Sequence, residues 1–324
     1  MITVGTGKYT YSLVRDWARL PANHSFHTVT AVATDSSDRL YVFQRGSPPV
    51  LVFDREGKYI TAWETDVFNR PHGICIVDDI AYITDSDDSI VLKFALDGTL
   101  LQSIGKRGVH SDTGTDQYGA LVPRAAGPFN HPTKMVPAPG GELYVSDGER
   151  NSRVHRFSSN GELEFSWGEP GKDRLNQFHM PHSIAVDQNS RVYVCDRENS
   201  CIQVFSADGQ PVSMWNNLQP PSDITIDRHG IFYVSQFAFN VIHRYAQWRA
   251  PAGSGSALKD PAGQRTVRLD APPRITLLDA EGQILVTWGS RKAHGICVDS
   301  RGDIYLALED DRSVDKYILQ DKDH

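Results

Sequence analysis

Short runs of alternating apolar and polar residues, separated by turn residues, recur along most of the chain. The clearest example contains four successive runs, at 184–187, 191–195, 202–205 and 211–215. Asp208-Gly209 joins the last two runs, and Asp-Gly between alternating segments is a strong hairpin signal because the turn needs positive φ. The pattern therefore predicts a four-stranded antiparallel sheet within residues 181–215.

The same unit recurs with a period of about 40 residues. Earlier copies lie at 29–63, 71–104 and 132–167, each with a glycine-containing turn before its last strand. A fifth copy starts near Ser222 and is interrupted after Tyr245 by a Gly-, Ala-, Pro- and Ser-rich stretch, 246–273, before regular sequence returns. Repeated strands of this spacing, without helical periodicity, are typical of a β-propeller. We therefore predict an all-β fold.

The sixth copy, at 293–319, has three strands only. The segment 8–19, ahead of the first copy, alternates as a strand does and could supply the missing outer strand. Closing the ring in this way would remove an open sheet edge. We therefore predict one six-bladed propeller domain over residues 1–324, with blades at 29–63, 71–104, 132–167, 181–215, 221–288 (with the insertion 246–273) and 293–319 plus 8–19.

Every second copy carries a histidine at the start of its innermost strand, at one common register: His72, His182 and His294. The intervening copies carry hydroxyl residues there, Thr30, Thr133 and Ser222. Alternate blades of a six-membered ring lie about 120° apart, so the imidazoles should converge on the propeller axis. Three imidazoles with an open fourth position form the ligand set of a catalytic zinc, although other divalent transition metals also accept imidazole. Packing histidines are the alternative, but packing does not explain their restriction to alternate copies.

The loops between second and third strands should lie on the same face as the histidines, and three of them carry ionisable candidates. Arg45 and Arg197 could bind the carboxylate of a substrate, or they could be surface and salt-bridge residues. Glu149 is a general base beside the metal, a fourth ligand, or a solvated loop carboxylate. Lys292, shortly before the third histidine, is either exposed or a further substrate contact.

Composition narrows the functional classes. The net charge is −7 without long charged runs, so we expect neither a nucleic-acid surface nor a basic membrane surface. The first twenty residues lack the apolar core of a secretory signal, and no apolar run reaches the roughly 18 residues of a membrane helix. We therefore expect a cytoplasmic protein, and its oligomeric state stays open. Cys195 and Cys201 flank one loop and could form a disulfide, or remain free as a reducing compartment favours.

Beyond these patterns, the repeats resemble NHL repeats, and the chain from about residue 28 to 319 resembles the catalytic core of the peptidyl-hydroxyglycine alpha-amidating lyases. The most specific segments are Phe43 to Gly46, Pro71 to Gly73, Val145 to Gly148, Phe178 to Ser183 and Asp196 to Asn199. The resemblance implies zinc on the three histidines and a substrate role for Arg45 and Arg197.

The chain departs from that family at several functional positions. Glu149 stands where the family has a catalytic tyrosine, and Lys292 stands where it has a methionine. Gly295 replaces an acidic ligand of a structural calcium ion, which leaves calcium in doubt here. The family's paired cysteines are missing, consistent with a protein that is not secreted.

These features are compatible with three functions, a lyase and two alternatives to it. In the first, a small α-hydroxy-N-acyl or carbinolamine carboxylic acid binds zinc and both arginines, and Glu149 takes the hydroxyl proton while the C–N bond breaks. In the second, the same zinc delivers hydroxide to a lactone, ester or amide. In the third, the propeller is a non-enzymatic scaffold for protein or RNA, against which the net negative charge and the histidine triad argue.

Overall fold

The computed structural model describes residues 2–22, 24–238, 257–259, 265–267 and 271–320. All the regular secondary structure assigned within these residues consists of β-strands. The first strands in chain order are β1 Ile2–Thr6, β2 Tyr9–Val14, β3 Thr28–Thr34, β4 Leu40–Arg45, β5 Val50–Phe53, β6 Tyr59–Trp63, β7 Pro71–Val77, β8 Ile80–Asp85, β9 Ile90–Ala95, β10 Leu100–Ile104, β11 Pro132–Pro137, β12 Leu143–Asp147, β13 Arg153–Phe157 and β14 Leu163–Trp167. The remaining strands are β15 Glu169–Pro170, β16 Gln177–Phe178, β17 Pro181–Val186, β18 Val192–Asp196, β19 Cys201–Phe205, β20 Pro211–Trp215, β21 Pro221–Ile226, β22 Phe232–Gln236, β23 Ala257–Lys259, β24 Arg265–Val267, β25 Arg274–Leu278, β26 Ile284–Gly289, β27 Gly295–Val298, β28 Ile304–Leu308 and β29 Ser313–Leu319.

These strands form six antiparallel blades. Blade 1 contains β3 to β6, blade 2 β7 to β10, blade 3 β11 to β14, and blade 4 β17 to β20. Blade 5 contains β21, β22, β25 and β26, and blade 6 contains β27, β28, β29, β2 and β1. The first strand of each blade contacts the first strands of both neighbours, including β27 against β3. The ring is therefore closed, and the predicted six-bladed propeller is confirmed.

The ring closes through the N-terminal strand, as the sequence predicts. β2 pairs with β29 in an antiparallel register in which Leu13 faces Tyr317. Beyond β2, the backbone N–H of Asp16 donates to the Asp315 carboxylate over 3.1 Å. A further strand, β1, pairs with the outer side of β2 and makes this blade five-stranded, which the sequence analysis did not predict.

Apolar side chains pack between blades rather than within one central core. Six clusters of buried residues each join two successive blades, and one of them joins the last blade to the first. In that closing cluster the ring of Trp17 packs edge-on against Tyr305 of blade 6, with 5.1 Å between ring centroids. This arrangement follows from the two-sided alternation of the strands, since both faces of every blade meet a neighbour.

The interruption in blade 5 falls earlier than the sequence pattern indicated. The third strand is β25, so the inserted segment separates β22 from β25 and begins directly after Gln236. It contains the small antiparallel pair of β23 and β24. The apolar run at 241–245, which we placed before the insertion, lies outside the described residues.

Two remaining expectations concern the cysteines and the membrane. Of the two alternatives for Cys195 and Cys201, the structure has free thiols, as it has at Cys75 and Cys297. Cys195 faces Ile202 across the β18–β19 pair, while Cys201 faces Asp196. Within the described part of the chain, there is no helix of sufficient length and hydrophobicity to cross a bilayer.

Candidate metal centre

Three imidazoles meet on the propeller axis, one each from blades 2, 4 and 6. Their ring centroids are 4.9 Å apart for His72 and His182, 4.9 Å for His72 and His294, and 4.8 Å for His182 and His294. All three side chains are buried. One nitrogen from each ring lies within 4.8 Å of the other two, close enough for a single metal ion to contact all three.

The other ring nitrogen of each histidine is held by the neighbouring blade. Nδ1 of His72 donates to the Thr133 carbonyl over 2.8 Å, and Nδ1 of His182 donates to the Ser222 carbonyl over 2.7 Å. Nδ1 of His294 donates to the carbonyl of Thr30, also over 2.7 Å. The acceptors are thus the residues that occupy the histidine register in the odd-numbered blades. Because a carbonyl only accepts, the proton resides on Nδ1 and the lone pair of Nε2 faces the axis.

Glycine after the first histidine permits this approach. A Cβ at Gly73 would overlap the carbonyl oxygen of Thr133. The backbone N–H of Gly73 donates to Oγ1 of Thr84 over 2.9 Å, and that hydroxyl donates to the same Thr133 carbonyl over 2.8 Å. Two donors on one carbonyl fix the position of the blade 3 backbone against His72.

Buried aspartates hold the connections that lead into the histidine-bearing strands. In blade 2, the carboxylate of Asp85 accepts the backbone N–H of Arg70 over 3.0 Å. In blade 4, the carboxylate of Asp196 accepts the backbone N–H of His179 over 2.8 Å. Each of these N–H groups lies two or three residues before a histidine of the triad. The aspartates therefore help to fix the position of the backbone that carries the imidazole.

Glu149 brings a carboxylate to the triad. Its Oε1 atom lies 3.5 Å from Nε2 of His72 and 3.4 Å from Nε2 of His182. Both histidine Nε2 atoms are buried without a hydrogen-bonding partner. With the ring protons on Nδ1, these nitrogens and an ionised carboxylate oxygen are all acceptors, which repel one another unless a cation lies between them. Tetrahedral ligands of zinc are separated by about 3.3–3.4 Å, so Glu149 lies close enough to the triad to be either a fourth ligand or a base beside a metal ion.

The loop of Glu149 is fixed by backbone contacts. Gly148 precedes it, and a Cβ there would overlap the carbonyl of Pro181, so the glycine lets the loop lie against the blade 4 strand. The backbone N–H of Glu149 donates to the carbonyl of His131 over 3.3 Å, and its own carbonyl accepts the N–H of Gly119 over 3.2 Å. Both partners belong to the segment between blades 2 and 3, which therefore covers this side of the triad.

The pKa shifts fit a cation site. Burial works against a charged carboxylate, yet the neighbouring imidazoles of His182 and His72 and the charge of Arg197 outweigh it and hold the pKa of Glu149 well below its ordinary value. Burial holds the pKa of His182 well below its ordinary value and lowers the pKa of His294 to about 4. At neutral pH an ionised Glu149 therefore faces a neutral His182, and these are the protonation states that metal binding requires of a carboxylate and an imidazole.

Both candidate arginines lie at this face, and both have carboxylate neighbours within the chain. Nη1 of Arg45 is 2.9 Å from Oε1 of Glu309. Nε of Arg197 is 3.2 Å from Oε1 of Glu198, and its guanidinium lies 5.5 Å from the centroid of the Phe237 ring. Burial lowers the pKa of each arginine. Neither arginine is a free surface residue, and each is ordered before any substrate binds.

Lys292 lies on the exposed rim of the same face. Its Nζ atom is 3.0 Å from the carboxylate of Asp310 and 5.0 Å from the centroid of the Phe237 ring. Phe237 is thus shared by Lys292 and Arg197. The structure places Lys292 beside the site but gives it an exposed acidic partner.

A buried ion pair that we did not predict from the sequence crosses the channel beside the triad. Nζ of Lys134 is 2.6 Å from Oδ1 of Asp223, and the hydroxyl of Ser183 donates to the same oxygen over 2.6 Å. These residues stand one position after the histidine register in blades 3, 5 and 4. That common register was visible in the sequence and would have predicted their meeting. Glu309 follows β28 in the corresponding loop of blade 6, and nothing in the sequence indicated its pairing with Arg45.

The residues present fit a divalent metal ion. Three imidazoles share one small region, two of them present buried unpartnered Nε2 atoms, and a carboxylate oxygen lies beside those two. Nitrogen and oxygen donors in this number are those of zinc, with copper, nickel and iron as further possibilities. Within the described residues, this is the one cluster of histidine, cysteine and acidic side chains with such geometry.

A family model and a relative with a similar sequence both indicate NHL-repeat proteins. Residues 178–205 match the family model described as NHL repeat. NHL repeat-containing protein 3 of Homo sapiens is 31% identical over 246 residues, which cover 71% of this chain and 67% of that protein. Peptidyl-alpha-hydroxyglycine alpha-amidating lyase 1 of Drosophila melanogaster is 28% identical over 244 residues, covering 64% of this chain and 43% of that protein. The match therefore spans less than half of the lyase's own length.

Among solved structures, a streptogramin B lyase superposes with a TM-score of 0.60 and covers 96% of this chain and 98% of the other. The two sequences are 11% identical. At that identity the likeness concerns the propeller fold alone.

Proposed function

Because the chain belongs to the family of NHL repeat-containing β-propeller proteins, we propose that it is a metal-dependent lyase that breaks a carbon–nitrogen bond. Its amidating-lyase relative carries such an activity in its name. The observation that carries the proposal is the position of Glu149 Oε1, 3.4–3.5 Å from two unpartnered Nε2 atoms of the triad. A base and a cation site thus lie side by side on one concave face.

The substrate class is a small α-hydroxy-N-acyl carboxylic acid. Arg197, largely buried beside Glu149 with 3.8 Å between Nη1 and Oε1, is the main partner for the substrate carboxylate, with Arg45 as a second. Lys292 adds positive charge at the rim. Zinc is the metal of choice for the triad. When bound, a divalent cation there makes a neighbouring hydroxyl more acidic.

Glu149 moves the proton in this scheme. Its carboxylate accepts the proton of the α-hydroxyl, the oxygen electrons form a carbonyl, and the C–N bond breaks toward nitrogen. The departing amide nitrogen then takes the proton back from Glu149. The oxygen and the nitrogen are both bonded to one carbon, so a single carboxyl can serve both. Protons and electrons balance, and the products are a primary amide and a 2-oxo acid such as glyoxylate.

Product analysis tests this function. Metal-loaded protein is incubated with N-benzoyl-α-hydroxyglycine, and the products are separated by liquid chromatography. Lyase activity gives benzamide and glyoxylate above the spontaneous rate. A metal-activated hydroxide acting on the amide, the rival hydrolase, gives benzoate instead. If neither product exceeds the rate without protein, the proposed function is wrong for this substrate class.

Metal analysis tests the site independently of turnover. We expect one equivalent of zinc per chain after loading and dialysis, and less than about one tenth of that in His182→Ala. The matched control is His229→Ala, which removes an exposed imidazole that does not belong to the triad. Equal zinc content in the His182→Ala protein and the wild type would reject the metal centre.

A further inference from the structure

One guanidinium of the site is already occupied by the protein itself. Nη1 of Arg45 lies 2.9 Å from Oε1 of Glu309, and Nε donates to the carbonyl of Pro71 over 3.1 Å. The side chains of Arg45 and Glu309 are 20% and 21% exposed, so the pair is largely shielded from solvent screening. Pro71 directly precedes the ligand His72, which connects this pair to the metal centre.

The two contacts limit how Arg45 can hold a ligand. A guanidinium grips a carboxylate with two parallel hydrogen bonds along either of two edges, one that includes Nε and one formed by the two Nη atoms. Glu309 occupies a nitrogen of the second edge, and Pro71 occupies Nε on the first. A substrate carboxylate is therefore left with a single nitrogen, Nη2, that has neither contact.

Charge at this corner of the site is balanced as well. Two further cations lie nearby, and each has a carboxylate partner: Lys292 pairs with Asp310 over 3.0 Å, and Nε of Arg70 lies 3.7 Å from Oδ1 of Asp87. The charge of Lys292 acts on Glu309, whose pKa is lowered by the cations and imidazoles around it although burial opposes the shift. Arg45, Lys292 and Arg70 are thus matched by the carboxylates of Glu309, Asp310 and Asp87, which leaves no formal excess of positive charge among these three pairs.

From these contacts we propose that Glu309 sets the charge preference of the site. It acts through Arg45 as a positioning residue, and by occupying the guanidinium it reduces the advantage of an anionic substrate over its uncharged amide. The inference rests on the proposed lyase function and extends its substrate class from carboxylic acids to their uncharged amides. The site should accept α-hydroxy-N-acyl amides about as well as the corresponding acids, with Arg197 as the remaining anchor for a carboxylate.

The test compares two substrates that differ in one group, N-benzoyl-α-hydroxyglycine and N-benzoyl-α-hydroxyglycinamide. For the wild type, the ratio of kcat/KM for acid over amide should lie within about tenfold of unity. In Glu309→Gln the ratio should rise about 10- to 100-fold, the factor that one charge-assisted hydrogen bond contributes. The rise should come from a lower KM for the acid, with kcat little changed. Glu309→Asp keeps the charge and should restore a ratio near that of the wild type.

Asp311→Asn is the matched control, since it removes one negative charge from the same loop. Asp311 is exposed and lies 3.7 Å from Arg291, not from Arg45. Its ratio should stay at the wild-type value, which separates the contact of Glu309 from a general charge effect. An unchanged ratio in Glu309→Gln, or an equal rise in Asp311→Asn, would overturn the proposal.

Equilibrium binding separates failure of this inference from failure of the lyase function. N-Benzoylglycine and N-benzoylglycinamide lack the reactive hydroxyl, and calorimetry gives their Kd for the metal-loaded protein without turnover. Tighter binding of the acid to Glu309→Gln than to the wild type, with no cleavage of either hydroxy compound, would support the role of Glu309 and reject the lyase. Cleavage of the hydroxy compounds with no change in Kd or ratio would reject the role of Glu309 alone.

Discussion

Nδ1 of His72 lies 2.8 Å from the carbonyl oxygen of Thr133, the residue at the histidine register of the next blade. The same relationship joins the other two histidines to the other two odd-numbered blades. Blades that carry a triad histidine therefore alternate around the ring with blades that supply a carbonyl acceptor. The orientation of each imidazole depends on the backbone of a neighbouring blade that carries no triad histidine.

Substitution of the glycine beside this contact should weaken metal binding. In Gly73→Ala the added Cβ overlaps the Thr133 carbonyl and pushes the blade 3 backbone away from His72. We expect zinc affinity to fall about 10- to 100-fold, the usual effect of losing such a supporting contact. Competition with a chromophoric chelator measures it. Gly127→Ala is the control, because a Cβ at that position meets no atom within 4 Å. Unaltered affinity in Gly73→Ala would show that the imidazole does not depend on this carbonyl.

Replacement of the proposed base should reduce turnover strongly while most of the metal stays. Glu149→Gln keeps the size of the side chain but removes the proton acceptor, so kcat should fall about 10²- to 10⁴-fold. The three histidines remain, so zinc content after loading should stay near one equivalent. Glu164→Gln, an exposed glutamate of the same blade paired with Arg156, should behave as the wild type. Turnover of Glu149→Gln within a few-fold of the wild type would exclude Glu149 as the base.

Breaking the ion pair in the channel should cost stability. Lys134→Met leaves the Asp223 carboxylate buried without its cation, which typically costs about 3–5 kcal/mol in the free energy of unfolding. The double variant Lys134→Met with Asp223→Asn removes both charges and should recover part of that loss. Urea denaturation of the metal-free proteins gives both values. A double variant less stable than the single one would mean that Asp223 stabilises the fold chiefly through its other hydrogen bonds.

Acid should destabilise the metal-free protein over a defined range. Burial holds the pKa of His182 well below its ordinary value and lowers that of His294 to about 4. The unfolded chain binds protons at these residues below about pH 6.5, and the folded chain does not until the pH is lower. The free energy of unfolding should therefore decrease as the pH falls from about 6.5 toward 4.

His294→Ala provides the comparison for that range. Without the imidazole, the decrease in the free energy of unfolding between pH 6.5 and 4.5 should be shallower, by up to about one proton in the linkage slope. Urea titrations in the presence of a chelator measure both proteins. Parallel pH dependence in wild type and variant would mean that His294 is protonated to the same extent in both states.

The fold could be predicted because its signals are local. Asp208-Gly209 and the equivalent turns mark each last hairpin, and the missing strand of 293–319 indicated that another segment must close the ring. The strand β1 was missed because a five-residue run pairs at the outer edge, where no repeat unit requires it. The third strand of blade 5 was predicted too early in the chain, because the apolar residues at 241–245 have the composition of a strand, whereas β25 pairs with β22.

The site could be predicted in part, for a reason that its residues illustrate. The convergence of His72, His182 and His294 follows from register alone, since the backbone of a closed ring fixes their Cβ positions. The pairing of Arg45 with Glu309 does not, because these long side chains join blades 1 and 6 and their meeting depends on rotamers. The pairing of Lys134 with Asp223 is an intermediate case. Their shared register could be seen in the sequence, although we did not predict the ion pair from it.

The closure of the last blade by β2 has a temporal consequence. A growing polypeptide emerges from its N-terminus, so β2 must wait until β29 has been synthesised before the two strands can pair and close the circle. His294 belongs to that same final blade. The blade that carries His294 is therefore completed only when β2 reaches β29, so a chain in which either strand is still unmade or has been removed would hold this imidazole in an open ring.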